Sequence, residues 1–276
     1  MYEVKSPCVL PSIWWFKQLT SRRSIYRRKS GGTIVKQDFS LVAQEYIKER
    51  ENCSFNALVL DGYLENILRC CRPGKCLDYG AGIGTVSKIA TAVGLDVTAF
   101  EPDPSMFRLL KANLQDESMT IANSQSQLKG RYDVILSINM LDYVDNLDEI
   151  LSYFYRILDS TGQLILSVPH PMKDLGDWVK VRSGTRWDYL YYRLDGYLEE
   201  KLCHKPRENV NGDVIQSGVH SYHRTISTYY NAIFQAGFTV THLGEPGVSP
   251  KAKDYPVIQQ KASRIPYFLV FVCKKR

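Results

Sequence analysis

An acid at Asp78, glycines at Gly80, Gly82 and Gly84, and a second acid at Glu101 fall close together in this chain. Glycine has no Cβ, so a backbone passing through the three can turn sharply and come close to a ligand. A strand that runs into such a turn and continues as a helix forms the switch point where adenosine-type ligands bind. Asp78 sits just ahead of the turn. A carboxylate there suits a ligand with an ammonium group and a positive sulfonium, and it would repel a pyrophosphate. A dinucleotide fingerprint would also want a third glycine three residues after Gly82, where Thr85 stands. Glu101 lies about twenty residues on, at the end of the next strand, where an acid can accept from both ribose hydroxyls. Ribose recognition fits either type of cofactor, and Asp78 separates them.

Two histidines could handle a proton. His170 comes after the fifth strand at its carboxyl end, the edge where ligands bind in such sheets, and imidazole titrates near neutral pH. The alternative is a histidine that orients the loop before Pro171. His223, in Tyr222-His-Arg-Thr225, could point into the same pocket or bond to the loop. His220 and His223 superficially suggest a zinc pair. Residues three apart on a strand face opposite sides, however, and no third ligand is apparent, so we expect no metal.

These groups need a scaffold. From Lys75 short apolar runs alternate with amphipathic segments, the pattern of an alternating α/β sandwich. It predicts strands at 75–79, 97–100, 119–122, 132–137 and 163–168, with helices in the intervals. The helix over 147–158 has Asn146 as its N-cap, with Glu149 three residues on. After Pro169-His-Pro171 the alternation dissolves into about fifty residues rich in Trp, Tyr and Asp, longer than a connection in a compact domain normally runs. An insertion over the site, at about 171–217, is the economical reading, and its Trp178, Trp187, Tyr189, Tyr191, Tyr192 and Tyr197 would suit an aromatic or cyclic substrate. Regularity returns with a strand-like 219–223, a helix over 227–236 and strands at 238–243 and 267–272. Ahead of the core, helical spacing over 38–71 predicts two helices, a cap spanning 38–72. Residues 1–37 read as an aromatic, basic arm that packs as a lid or serves as a homo-oligomer contact.

The chain of 276 residues, 44% hydrophobic and 23% charged, can bury a core without metals or disulfides. Seven cysteines, an odd number with no Cys-x-x-Cys pair, point to a reducing, cytoplasmic setting. No window approaches a membrane span, so no membrane partner is expected. Much of the net charge of +6 sits in Arg22, Arg23, Arg27, Arg28 and Lys29, where a solvated face is the simpler reading than nucleic-acid contact.

With these residues in place, the chain resembles the class I S-adenosylmethionine-dependent methyltransferases, on Asp78 to Gly84 and Glu101 and over most of 38–274. The resemblance implies a three-layer α/β/α sandwich around a seven-stranded, mostly parallel Rossmann-like sheet with one antiparallel strand. It implies S-adenosyl-L-methionine as cofactor, held by Asp78, Gly80, Gly82, Glu101 and Pro102. In that family the residues after the third strand hold the adenine, often through an acid. Here Asn123-Ser124 stand there, so the adenine amine would meet an amide or backbone. Ser137-Ile-Asn-Met-Leu-Asp-Tyr-Val144 matches the fourth-strand exit, which faces the methionine part, and Asn139 is the residue expected to do so. A narrower resemblance, to bacterial small-molecule methyltransferases, rests on Tyr46-x-x-x-Arg50-Glu-Asn before Asn56, on Ser167-Val-Pro-His-Pro171 and on Tyr222-His-Arg-Thr225. There the helix bearing Tyr46 is similar to a flap over the cofactor. The expectation is therefore methyl transfer to nitrogen, oxygen or carbon of a small, aromatic or alkaloid-like molecule. The rivals are an RNA or protein methyltransferase and a catalytically silent cofactor-binding partner. A nicotinamide-dependent dehydrogenase ranks last, because of Asp78 and Thr85.

Overall fold

The computed structural model describes residues 39, 54–115, 117–203, 207–208, 214–215 and 219–276. The arm at 1–37, the first helix of the cap and Tyr46 lie outside the described residues. The core begins with a π-helical turn, Asn56–Leu60, that runs into α1, Asp61–Arg69. Strands β1 (Lys75–Tyr79), β2 (Asp96–Phe100), β3 (Thr120–Ala122), β4 (Tyr132–Ile138) and β5 (Leu158–Pro169) come next. They are parallel wherever they pair. Helix α2 (Thr85–Ala92) joins β1 to β2, α3 (Pro104–Asn113) joins β2 to β3, and α4 (Leu147–Ile157) joins β4 to β5. Between β3 and β4 the expected helix is instead a single 3₁₀ turn, Gln125–Gln127, closed by a capping box on Ser124. The segment is polar and exposed and offers no apolar stripe for a longer helix to bury.

After α5 (Pro171–Leu175) comes the insertion. It contains a hairpin, β6 (Gly176–Ser183) and β7 (Arg186–Leu194), then β8 (Lys201–Cys203) and the short pair β9 (Arg207–Glu208) and β10 (Val214–Ile215). The strand expected at 219–223 is β11, Ser221–His223, and it pairs with β8, not with the central sheet. The chain then forms α6 (Ile226–Gln235), β12 (Phe238–Gly244), α7 (Pro256–Ala262) and β13 (Phe268–Lys275). The central sheet has seven strands in the order β12-β13-β5-β4-β1-β2-β3. β13 is its one antiparallel member, pairing that way with both β5 and β12. This is the alternating α/β sandwich of the sequence pattern, in the Rossmann-like form the resemblance implied.

Successive residues on a strand face opposite sides, and the two cores sort by that rule. Leu77, Tyr79, Ile135, Leu164, Leu166 and Phe271 pack with Ile150, Leu151 and Phe154 of α4 and Tyr229 and Ile233 of α6. Their neighbours Cys76, Val134, Leu136, Ile165 and Val270 pack on the other side with Leu64 and Leu68 of α1, Val86 and Ala90 of α2 and Ile258 of α7. Helices are positioned by local chemistry. Asp103 accepts from the backbone N–H groups of Ser105 and Met106 at the start of α3, with Pro104 at the first helical position. Asn146 caps α4 by accepting from Glu149 N at 3.2 Å, as its spacing predicts. Among the described residues no helix is long and apolar enough to cross a membrane.

Candidate cofactor and substrate site

The strand order β3-β2-β1-β4-β5 sets the candidate residues in a row along the carboxyl edge of the sheet. Asn123 and Ser124 come after β3, Glu101 and Pro102 after β2, and the glycine turn after β1. Asn139 comes after β4 and His170 after β5. Such an edge is where open α/β sheets bind their ligands.

At the end of β1, Gly80 N and Ala81 N both donate to Phe100 O, at 2.8 and 2.9 Å, folding the turn against β2. Gly80 has φ +82 and Gly84 φ +87, left-handed values that disfavour any side chain. A Cβ on Gly80 would lie 2.6 Å from Met140 Cγ, and one on Gly84 would lie 2.9 Å from Leu110 Cδ1. Asp78 is buried and accepts from Ser87 Oγ at 2.6 Å, which ties the strand end to α2 beyond the turn. Its charge therefore sits beneath the glycine turn, not in open solvent.

Glu101 holds the turn from the other side. Its Oε2 accepts from Gly82 N and its Oε1 from Asp103 N, both at 2.9 Å. Burial raises its carboxyl pKa from 4.5 to about 7; the two backbone bonds oppose that rise, and the nearby Asp103 and Asp78 charges add to it. Pro102 beside it is exposed. After β3, Gln127 Oε1 accepts from the backbone N–H groups of Asn123 and Ser124, at 2.8 and 3.0 Å, and Ser124 Oγ caps the 3₁₀ turn. Asn123 keeps an exposed side chain.

Asn139 is the only non-glycine residue with positive φ among the described residues, at +52. Its Nδ2 donates to Asn56 Oδ1 and its Oδ1 accepts from Ser167 Oγ, both at 3.0 Å. Phe39 packs against Ile83 of the glycine turn and Met106 of α3, and meets Tyr143 edge-on at 5.4 Å.

The two histidines lie in different surroundings. His170 is buried; its Nδ1 accepts from Met172 N at 3.3 Å, so Nε2 carries the proton and donates to Glu245 Oε1 at 2.9 Å. His223 stands on β11, and its Nε2 meets the Tyr197 carbonyl at 2.8 Å. A carbonyl only accepts, so that nitrogen is protonated. The neighbouring Arg224 points to the β4 exit instead. It donates to Leu141 O at 3.1 Å, to Asp145 O at 2.9 Å and to Val144 O. Glu200 of the insertion accepts from Thr225 N at 2.9 Å, from Thr225 Oγ1 at 3.1 Å and from Thr228 Oγ1, fixing the insertion to the start of α6.

The hairpin β6–β7 is fastened to the β5 and β13 ends. Tyr192 OH donates to the Met172 and Lys173 carbonyls, at 3.1 and 3.0 Å, and Trp178 Nε1 to Tyr267 OH at 3.1 Å. Arg264 donates to Tyr189 O at 2.5 Å and to Leu190 O, and lies 5.1 Å from the Trp178 ring centre. Tyr267 in turn stacks on Phe55, 4.4 Å between centres. Of the insertion's aromatics, Trp187 and Tyr191 are exposed and Tyr189 is buried. Among the described residues no group of three or more His, Cys, Asp or Glu is placed to hold a metal. Sequence reasoning missed Asn56 as a partner of Asn139, Glu245 as a partner of His170, and Arg224. Arg224 was within reach, since it lies in the motif that drew attention to His223.

A family model described as a methyltransferase domain matches residues 48–243. A ubiquinone biosynthesis O-methyltransferase of Pelagibacter ubique is 24% identical over 179 residues, 63% of this chain and 70% of its own length. Among solved structures, an S-adenosylmethionine-dependent methyltransferase of Mesorhizobium loti is 20% identical with a TM-score of 0.62, covering 82% of this chain and 99% of its own. A Listeria monocytogenes protein assigned to the same class is 25% identical, also with a TM-score of 0.62, over 78% of this chain and 96% of its own.

Proposed function

This chain belongs to the methyltransferase-domain family, and from that premise we propose that it transfers the methyl group of S-adenosylmethionine to nitrogen, oxygen or carbon of a small organic molecule. It is an enzyme, and S-adenosylmethionine is its cofactor. The observation that carries the cofactor reading is Glu101. Each of its oxygens already accepts one backbone N–H, and a carboxylate oxygen has a second lone pair. Two acceptor positions are thus left for the two hydroxyls of a ribose. The residues fit the group in a second way. The nearest atom to a Cβ built on Gly82 would be Met106 Cε at 3.6 Å, so the turn leaves room for close approach.

When bound, the cofactor supplies an electrophilic methyl group on a positive sulfur. The chain's part is alignment of the acceptor in a site that excludes water. Glu101 orients the ribose, Asp78 places negative charge beneath the turn, and Asn139 lines the β4 side. Where the acceptor arrives protonated, we assign the proton to His170: Nδ1 would take it by giving up its 3.3 Å bond from Met172 N, and Glu245, on Nε2, would stabilise the imidazolium. His223 we assign to holding the insertion, through Tyr197. The aromatics around Tyr267 and Trp178 support an aromatic or cyclic acceptor, as does the quinone-pathway relative. In this reading 1–37 is an arm through which copies associate, 38–72 covers the cofactor, 73–276 is the catalytic core with its insertion as substrate wall, and the enzyme works in the cytoplasm.

The test is calorimetric titration of S-adenosylhomocysteine into wild type and Asp78→Ala. Wild type binds, and the variant binds about tenfold or more weakly, the scale of a lost charge-assisted contact. Methyl transfer from labelled S-adenosylmethionine is then measured onto phenols, amines and aromatic acids, with RNA and protein as separate arms. Label in RNA or protein alone would overturn the small-molecule reading.

A further inference from the structure

We propose that Asn56 is a ligand-binding residue, which holds the carboxylate of the cofactor's amino-acid end and fixes Asn139 toward it. The inference rests on the cofactor reading above and adds a residue from outside the sheet to that site. Two unusual backbone features meet in one hydrogen bond. Asn56 is the first residue of the π-helical turn, a rare form that occurs mostly as single turns and frequently at functional sites. Asn139 holds a left-handed φ without being glycine, a state that persists only where its surroundings over-determine it. The 3.0 Å bond from Asn139 Nδ2 to Asn56 Oδ1 joins them across 83 residues of sequence.

The direction of donation along the relay is set by chemistry. The Ser167 hydroxyl, fully buried, donates to Asn139 Oδ1, and Asn139 Nδ2 donates to Asn56 Oδ1. Asn139 N also donates to Ser167 O at 2.8 Å, so main chain and side chain are fixed together. The relay ends at Asn56 Nδ2. Its two hydrogens have no partner among the described residues, and the side chain is half-buried. Strand order says which part of the ligand lies there. With the ribose at Glu101 on β2, one end of the cofactor extends over β3 and the other past β1 toward β4. The β3 side offers the exposed Asn123 and a serine already used as a cap. The β4 side offers an amide chain ending in two donors, which suits a carboxylate.

The experiment compares S-adenosylhomocysteine with 5′-methylthioadenosine, which keeps the adenine, ribose and thioether and lacks the amino-acid arm. Both are titrated into wild type, Asn56→Ala, Asn56→Asp and Asn139→Gly. Glycine adopts φ +52 without strain, so the last variant removes the side chain and keeps the turn. We expect Asn56→Ala and Asn139→Gly to weaken S-adenosylhomocysteine about tenfold, Asn56→Asp to weaken it further, and methylthioadenosine to bind all four alike. A structural role alone would weaken both ligands together. Equal loss for both, or no loss for either, overturns the assignment. Wild type that binds neither ligand would overturn the cofactor reading itself, and the assignment with it.

Discussion

Replacing Glu101 by glutamine changes one atom and removes one charge, and the cost is set by the bonds its two oxygens make. The carboxylate accepts from Gly82 N on one oxygen and Asp103 N on the other. Glutamine can keep only one of those bonds, and its NH₂ then faces a backbone N–H. In the proposed reading the ribose hydroxyls lose a charged acceptor as well. Together these changes cost about 2–4 kcal/mol, or about 30- to 1000-fold in affinity for S-adenosylhomocysteine. The pH dependence is the sharper test. Burial lifts the Glu101 pKa from 4.5 to about 7, and hydroxyl donors need the ionised form. Affinity in wild type should be flat above pH 8 and fall about tenfold per unit below 7, giving about 30-fold weaker binding at pH 5.5. For folding the sign runs the other way. The native carboxyl holds its proton to higher pH than the unfolded one. Its contribution to stability is therefore fully present below pH 4.5 and is lost as pH rises through 7, by about 3 kcal/mol. The cofactor's hydroxyls offset part of that loss, so the stabilisation by ligand should be greatest at alkaline pH. Calorimetry from pH 5.5 to 8.5 on wild type and Glu101→Gln measures the first effect, and thermal unfolding with and without ligand measures the second. Affinity that does not vary with pH in wild type, or a pH dependence that survives in the glutamine variant, would refute the reasoning.

Arg224→Ala should destabilise the fold by about 2–4 kcal/mol, because three carbonyls of the β4 exit lose a shared charged donor; urea unfolding reads the loss. Arg224→Lys should recover only part of it, since an ammonium cannot span the three acceptors as the planar guanidinium does. Gly84→Ala should cost about 1–3 kcal/mol, from a left-handed φ of +87 and a Cβ pressed to 2.9 Å from Leu110; a thermal midpoint equal to wild type would contradict the steric argument.

The sheet and its cofactor edge were legible because their signals are local. Asp78, the glycine turn and Glu101 sit within one β-α-β unit, and Asn146 with Glu149 marks a helix start within four residues. The insertion stands out in the sequence by its length and aromatic content, but its hairpin β6–β7 around Gly184 does not. Its strands alternate only in short runs, Val179-Lys-Val-Arg182 and Arg186-Trp-Asp-Tyr189, and rings and cations pack on one another there: Lys180 lies 4.9 Å from the Trp187 ring centre and Lys261 4.6 Å from that of Tyr189. Runs of four residues are at the lower limit at which a period-2 pattern marks a strand. His223 and Arg224 are adjacent, and adjacent side chains at a strand end diverge. Nothing in the one-dimensional sequence says which of the two reaches the β4 exit. The Asn56–Asn139 bond spans 83 residues, a separation at which spacing carries no information.

The way the hairpin is fastened bears on how this enzyme could change acceptor over evolutionary time. Arg264 grips the carbonyls of Tyr189 and Leu190, and Tyr192 reaches the carbonyls of Met172 and Lys173. Every amino acid supplies a carbonyl. Residues 189, 190, 172 and 173 can therefore be exchanged without removing an acceptor that the fastening needs, and the side-chain constraint falls on Arg264, Tyr192 and the Trp178–Tyr267 pair. In the proposed reading, a wall docked largely by its main chain can drift in the chemistry it presents while the methyl-donor side, assigned to Asp78 and Glu101, stays fixed.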